Sequence, residues 1–313
     1  MNFYDFHSIS DKGALISKAL KFKKETFRST IGSGKTIALV FLNPSLRTRM
    51  STQEASYRLG LNVICFNGSE AWPWEISDNA IMDGNYAEHI KDAARVISSY
   101  ADIIGIRCFA GLKNYNQDNA DALIHKFIKY AKVPVVNMES AACHPLQSLT
   151  DMVTLEELFP AKKLKITLSW APHPKPLPHA VANSFAQWAI GMGHQLTICH
   201  PEGYDLDSHF THGAAISHDQ EEAFQGASII YAKGWCSKEN YGTVEPEKYK
   251  SWTIDKAKMD LTDNGKFMHC LPIRRNVIAT DDVLDGTSSC IYQQAGNRLF
   301  AAQAVLDHII NTL

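Results

Sequence analysis

No apolar run in the sequence approaches the roughly 20 residues that a membrane-spanning helix needs. The opening Met1-Asn2-Phe3-Tyr4-Asp5-Phe6 also lacks the pattern of a secretory leader. Charge of one sign is missing too: 31 Lys and Arg against 33 Asp and Glu leave a formal net charge of −2. That balance gives no basic face for nucleic acid and no acidic tail, so any recognition of phosphate has to be local. The seven cysteines (Cys65, Cys108, Cys143, Cys199, Cys236, Cys270, Cys290) are odd in number, widely spaced and without a C-x-x-C. They argue against zinc and a disulfide framework and for a reducing cytoplasm. Nucleotide signatures fail as well. In Gly32-Ser33-Gly34-Lys35-Thr36, Ser29 stands where a P-loop needs its first glycine, and the segment precedes an apolar run instead of following one. Gly191-Met192-Gly193 lacks the third glycine of a dinucleotide fingerprint, so a nicotinamide dehydrogenase is unsupported.

What is present is a regular α/β alternation. The 313 residues, 45% of them hydrophobic, are enough for two domains with their own cores. Helical spacing over 8–28 leads to strands at 36–42 and 61–66 around a helix at 45–59. Helices at 86–100 and 119–131 alternate with strands at 102–107 and 133–137. A helix at 145–158 links to a second half with strands at 165–170, 195–199, 227–232, 266–270 and 289–292. The strands are apolar on both faces, which implies parallel sheets covered by helices. The fold class expected is therefore α/β with two domains, each a parallel β-sheet flanked by helices, and an active site in the cleft between them. The boundaries expected are 1–150 and 151–296, with a last helix of about 297–313 packing back on the first domain.

The most informative stretch is Phe41-Leu42-Asn43-Pro44-Ser45-Leu46-Arg47-Thr48-Arg49. Pro44 disfavours helix at Asn43 and Ser45 is a good N-cap, so the helix is expected to start at Ser45. Its free first-turn amides, with the hydroxyls of Ser45 and Thr48 and the guanidiniums of Arg47 and Arg49, suit a phosphate or similar oxyanion. Other polar residues stand at strand ends, where parallel sheets bind ligands: Arg107, Glu139 to Gln147, His173 to His179, Lys233, and His269 to Asn276. Several of these patterns support two readings. His144-Pro145-Leu146-Gln147 is either a Pro-initiated helix with a capping histidine or a donor and an amide aimed at a carbonyl. The stiff Pro172-His173-Pro174-Lys175-Pro176-Leu177-Pro178-His179 is either a connector or a loop presenting side chains. Cys270, in His269-Cys270-Leu271-Pro272, reads as a small buried residue before a nucleophile.

Taken in order, Ser-Leu-Arg-Thr-Arg, Arg107, His-Pro-Leu-Gln, His-Cys-Leu-Pro and Arg298 resemble the aspartate/ornithine carbamoyltransferase superfamily over the whole chain. By that resemblance Ser45, Leu46 (through its backbone), Arg47 and Thr48 hold the phosphate of carbamoyl phosphate. Arg107, His144 and Thr48 polarise the carbamoyl oxygen and form the catalytic set. Gln147 and the carbonyls of Cys270 and Leu271 hold the carbamoyl amide, and Arg298 completes that site. Trp72, in Ala-Trp-Pro-Trp-Glu, is similar to a tryptophan that one subunit inserts into a neighbour's site, which implies a homotrimer with shared active sites.

Two departures from ordinary ornithine enzymes bear on the acceptor. A free α-amino group is usually met by Asp in a D-x-x-x-S-M-G loop, where Tyr231-Ala232-Lys233-Gly234-Trp235 carries Lys. A cation there repels an ammonium and suits a carboxylate. The chain is thus similar to the N-acylornithine branch, with Ala87, Glu139, His173, Lys233 and Arg275 as the acylornithine-binding set. Acetylornithine enzymes carry Glu where this chain has Ala87, and succinylornithine enzymes a non-acidic residue, typically Pro. Ala matches neither pattern outright, but it leaves room and no charge, which favours a succinyl group and keeps N-acetylornithine as the alternative acceptor. The resemblance implies carbamoyl transfer to N-succinylornithine in arginine biosynthesis, with carbamoyl phosphate and N-acylornithine as small-molecule partners. It implies no metal or cofactor and no nucleic-acid or membrane partner. A silent anion-binding regulatory subunit is a rival from another class, disfavoured because donor and acceptor residues are both present. A phosphoryl-transfer enzyme lacks its magnesium carboxylates near Ser45.

Overall fold

Interior strands of a parallel sheet are covered on both faces and stay apolar without alternation, whereas edge strands alternate. Residues 36–41 and 103–107 have the first character and residues 62–67 the second. The computed structural model, which describes residues 1–68 and 72–313, sorts them accordingly. In chain order the elements begin with helix α1 (Lys12–Glu25), strand β1 (Thr36–Phe41), α2 (Arg47–Arg58) and β2 (Asn62–Asn67). The short strands β3 (Trp74–Glu75) and β4 (Glu88–His89) precede α3 (Ile90–Tyr100), β5 (Ile103–Arg107), α4 (Tyr115–Asn119), α5 (Ala122–Tyr130), β6 (Val135–Glu139) and α6 (Pro145–Leu158). Next come β7 (Lys165–Trp170), α7 (Ala180–Gly191), β8 (Gln195–Cys199), α8 (Ser208–Thr211), β9 (Ala215–Ser217) and α9 (Gln220–Phe224). The chain finishes with β10 (Ile229–Lys233), α10 (Lys256–Met259), β11 (Lys266–Met268), α11 (Asp281–Leu284) and α12 (Ile291–Ile310).

Two compact units result: Met1–Ala110 with Asn116–Leu149 and Asn297–Leu313, and Gly111–Tyr115 with Thr150–Gly296. The first holds a parallel sheet in the order β2-β1-β5-β6, and the second a parallel sheet in the order β11-β10-β7-β8-β9. In the first, Val40 and Ile106 pack with Ile90 of α3 and Phe127 of α5. In the second, Ile230 and Ala232 pack with Phe224, Met259 and Val283. Burying each such large side chain is worth about 1.5–3 kcal/mol, which fixes which face of each strand looks where. Both sheets reverse their strand order once, between β1 and β5 and between β7 and β10. At such a reversal the loops leave in opposite directions, and a ligand-sized space opens beyond the carboxyl ends.

Some expectations are corrected. The helix expected from Ser45 starts at Arg47, with Leu46 in the cap position and no side-chain cap bond. The carbonyls of Asn43 and Pro44 are held by Arg107, which keeps the chain out of helix for longer. The helix expected over 119–131 is α5, which starts just after Asp121, whose φ is 49°, and the separate short α4 before it is unexpected. The strand expected at 289–292 is absent: Ser289 makes one isolated bridge to Phe267, and α12 begins at Ile291, earlier than the expected 297. Strand β9 has no counterpart among the sequence expectations, because three largely exposed edge residues carry almost no apolar signal.

Candidate active site

The residues singled out in the sequence fall in both units. In the first, the register pairs Phe41 with Arg107, so the loop after β1 lies beside the end of β5. Arg107 is buried and spends its donors on both sides. Its Nη1 reaches the carbonyls of Asn43 and Pro44 at 3.2 and 3.1 Å. Its Nε and Nη2 both reach Glu139 Oε2, at 3.1 and 2.7 Å. A guanidinium with almost no access to water needs such matching, since leaving it unpaired costs several kcal/mol (about 3–5). Asn43 Oδ1 accepts the Phe109 amide at 2.7 Å, so the loop is pinned twice.

Glu139 owes its aim to an irregularity. Ile106 pairs with Asn137 and Arg107 with Glu139, so Met138 is an extra residue on β6. Bulges of this kind turn a side chain toward a site. Here the same carboxylate oxygen that binds Arg107 lies 3.7 Å from His144 Nε2. Pro145 starts α6, so the helix-initiation reading of that motif holds, while the His144 imidazole is turned to Glu139. Gln147, one turn on, accepts from Arg298 of α12 through Oε1. Arg298 also donates to Thr48 Oγ1 at 2.7 Å. Thr48, Arg107, Glu139, His144, Gln147 and Arg298 are all buried. Ser45 and Arg47 are half-buried and Leu46 is exposed. Arg49 is used elsewhere: it donates to Asn67 and lies 5.1 Å over the Phe41 ring. Arg107 and Arg298 thus stand with Glu139, His144, Gln147 and Thr48, and Arg47 follows Ser45 at the start of α2.

In the second unit the reversal between β7 and β10 gathers His173 and Lys233. Trp170 pairs with Lys233, and the Ala171 amide bonds the Lys233 carbonyl at 3.2 Å. Lys233 is buried, with Nζ donating to the Gly234 carbonyl at 2.9 Å. Gly234 has to be small: a Cβ there would meet Ala171 O at 2.9 Å and His173 Cβ at 3.3 Å. Trp170, Leu177, Tyr204 and Trp235 line a hollow beside His173 and Lys175. Burial holds His173 below the usual histidine range; its backbone bond to Lys175 opposes this, and the positive charges of Lys233, Arg274 and Lys175 push it lower. Arg274, which the sequence places among the polar residues after a strand but not in the acylornithine-binding set, thus lies within electrostatic reach of His173. Arg275 itself is committed to Asp285 at 2.8 and 2.7 Å and to Asp281 at 2.6 Å, on the surface. The half-buried Cys270 and Leu271 follow His269, whose Nδ1 accepts the Leu271 amide at 2.8 Å. The His269 amide is held by Gln294, which in turn binds Asp151.

Trp72 and Ala87, both in the first unit, are exposed. They flank a segment closed by the pairing of Trp74 with Glu88 and Glu75 with His89. The Trp72 indole donates to Glu88 at 2.8 Å. Among the described residues no group of His, Cys, Asp and Glu is arranged to hold a metal ion, and no helix is long and apolar enough to cross a membrane.

Comparison with known proteins bears on the family and the fold. Residues 3–157 match the carbamoyl-P binding domain of aspartate/ornithine carbamoyltransferase, and residues 178–309 its Asp/Orn binding domain. An N-succinylornithine carbamoyltransferase of Bacteroides fragilis is 42% identical over 97% of each chain. An N-acetylornithine carbamoyltransferase of Xanthomonas axonopodis pv. citri is 40% identical over 96% of this chain and 93% of its own. A solved N-acetyl-L-ornithine transcarbamylase with a glutamate replaced by alanine, complexed with carbamyl phosphate and N-succinyl-L-norvaline, superposes with a TM-score of 0.93 over 99% of both chains at 38% identity.

Proposed function

The chain belongs to the aspartate/ornithine carbamoyltransferase family, in its acylornithine branch, and we propose that its acceptor is N-succinyl-L-ornithine. The carbamoyl group of carbamoyl phosphate then passes to the δ-amine, giving N-succinyl-L-citrulline and phosphate in arginine biosynthesis. Ala87 is the observation that carries the choice of acyl group. A glutamate at this point would repel the succinyl carboxylate, and alanine offers neither charge nor bulk. The solved transcarbamylase variant that lost a glutamate and carries N-succinyl-L-norvaline is in keeping with that argument.

In this reading Ser45, the Leu46 backbone, Arg47 and Thr48 take the phosphate. Arg107, His144 and Thr48 polarise the carbamoyl oxygen, and Gln147 with the Cys270 and Leu271 carbonyls orients the amide. Arg298 ties Thr48 to Gln147 and so links the phosphate contact to the amide contact. The uncharged δ-amine attacks the carbonyl carbon, and fixed positive groups stabilise the oxyanion that forms. As the carbon–oxygen bond to phosphate breaks, phosphate leaves with the electron pair and takes the amine's proton. Glu139, His173 and Lys233 receive the acceptor, and Arg274 joins them because its charge reaches His173; Arg275, ion-paired with Asp281 and Asp285 on the surface, is left out of the set. Neutral His173, kept so by burial, avoids adding charge beside the amine.

The assembly we infer is a homotrimer in which Trp72 of one chain enters a neighbour's site. Trp72 is 55% exposed, and α2 with its cap residue Leu46 presents Leu46, Met50 and Tyr57 to solvent. The deciding experiment offers carbamoyl phosphate with ornithine, N-acetylornithine and N-succinylornithine in parallel and measures the citrulline formed. Preference for the acetyl compound would replace the succinyl assignment. Mixing inactive Trp72→Ala with inactive Arg47→Ala should restore some activity, and no recovery after verified subunit exchange would count against shared sites.

A further inference from the structure

We propose that Asn137 is a positioning residue for carbamoyl transfer, acting through Glu139 on Arg107 and His144; this rests on the role given above to that pair. Asn137 sits inside the apolar strand Val135–Glu139 and is fully buried. A buried amide is tolerated only where its donors and acceptor are matched. Its Nδ2 donates to the Tyr4 carbonyl at 3.1 Å and to Ser140 Oγ at 2.9 Å, while its Oδ1 accepts the Glu139 amide at 3.0 Å. A carbonyl can only accept and an amide N–H can only donate, so one orientation of the Asn137 side chain satisfies both ends.

The anchors are themselves fixed. The Asn137 amide bonds the Phe3 carbonyl at 2.8 Å, which locks the segment before Tyr4 against β6. Ser140 Oγ donates to the buried Asp121 carboxylate, which also accepts the Ala141 amide at 3.0 Å. This clamps the backbone on the far side of Glu139.

Glu139 needs such a frame. Its φ of 151° is one that side-chain-bearing residues rarely adopt, and it falls at the bulge. Unusual backbone angles persist only where the surroundings over-determine them. The bond from Asn137 ends on the very peptide that is held, two residues along. Released from it, Glu139 would relax toward ordinary strand angles, and Oε2 would leave Arg107 and the 3.7 Å approach to His144. Displacements beyond about 0.5 Å are enough to spoil a reactive constellation.

The test is a double-mutant cycle with Asn137→Ala, Glu139→Gln and the combination, each assayed well below its own melting temperature. Asn137→Ala should lower kcat roughly 10- to 100-fold. Its dissociation constant for inorganic phosphate, read by calorimetry, should change less than about two-fold because the Ser45–Thr48 loop is not touched. In the Glu139→Gln background, adding Asn137→Ala should cost less than about two-fold more. If the two effects multiply as independent changes, or kcat is unaltered by Asn137→Ala, the inference is overturned. Should Asn137→Ala fail to fold, Ser140→Ala removes the amide's second anchor and enters the same cycle. A wild type that turns over no acylornithine would overturn the functional reading and this inference together. Turnover by wild type with multiplicative effects would overturn this inference alone.

Discussion

Placing a glutamate at Ala87 tests the acceptor assignment where the structure lets its size be worked out. Ala87 is exposed, and its backbone is held by the neighbouring pairing of Glu88 with Trp74. A carboxylate there would start from a defined base, about 6 Å from a succinyl carboxylate brought into contact range. At that separation two like charges repel by about 0.7 kcal/mol in water and about 2.8 kcal/mol at an effective dielectric of about 20. With about 1.36 kcal/mol per factor of ten, Ala87→Glu should lower the succinyl-to-acetyl ratio of kcat/KM by about three-fold to about a hundred-fold. Ionic strength separates the two ends of that range. A side chain open to water gives the small effect, largely erased by salt. One enclosed by a neighbouring chain gives the large effect, which salt barely moves. The assay is kcat/KM for both acceptors, in wild type and variant, at low and high salt. A wild type that prefers acetylornithine, or a ratio that Ala87→Glu leaves unmoved at both salts, refutes the reasoning.

Arg47→Ala should remove on the order of 2–4 kcal/mol of transition-state stabilisation, seen in kcat/KM for carbamoyl phosphate; a value like wild type would take the loop out of the mechanism. His179 is pushed down from 6.5 to about 4, first by burial. The unfolded chain therefore takes up its proton first, and stability is lost as pH falls from about 6.5 toward 4. His179→Gln should flatten that part of a thermal-melting profile, and an unchanged slope would assign the loss to other groups. Gly296 lies inside α12, where an added Cβ would meet nothing within 4 Å. Gly296→Ala should raise stability by about 0.5–1 kcal/mol in chemical denaturation; no gain would count against a continuous helix there.

Much of the layout was legible because parallel-sheet interiors leave a plain mark. Thr36 to Phe41 is an apolar run and Lys165 to Trp170 alternates Ile, Leu and Trp with polar residues, and both became strands. The polar residues at their carboxyl ends mark the two order reversals in the sequence itself. What escaped was set by distant partners. Nothing near Ser45 announces that Arg107 will hold the carbonyls of Asn43 and Pro44 and delay the helix. Nothing near Asp121 announces that Ser140 and Ala141 will claim its carboxylate just before α5 begins. The run Cys290-Ile291 suits a buried strand or the first turn of a buried helix, and periodicity over so few residues does not separate them. Asn137 did leave a trace, a lone amide between Val136 and Met138, but its meaning depended on Tyr4 and Glu139.

The hydrogen bond from Arg298 to Thr48 spans 250 residues of chain. A ribosome that has finished the Ser45–Thr48 loop must therefore add some 250 further residues before Thr48 meets this arginine. Until then the nascent chain carries the loop without the arginine that joins it to Gln147. On the role proposed for Arg298, a messenger truncated shortly before Asn297 would encode both parallel sheets and yet yield no working transferase.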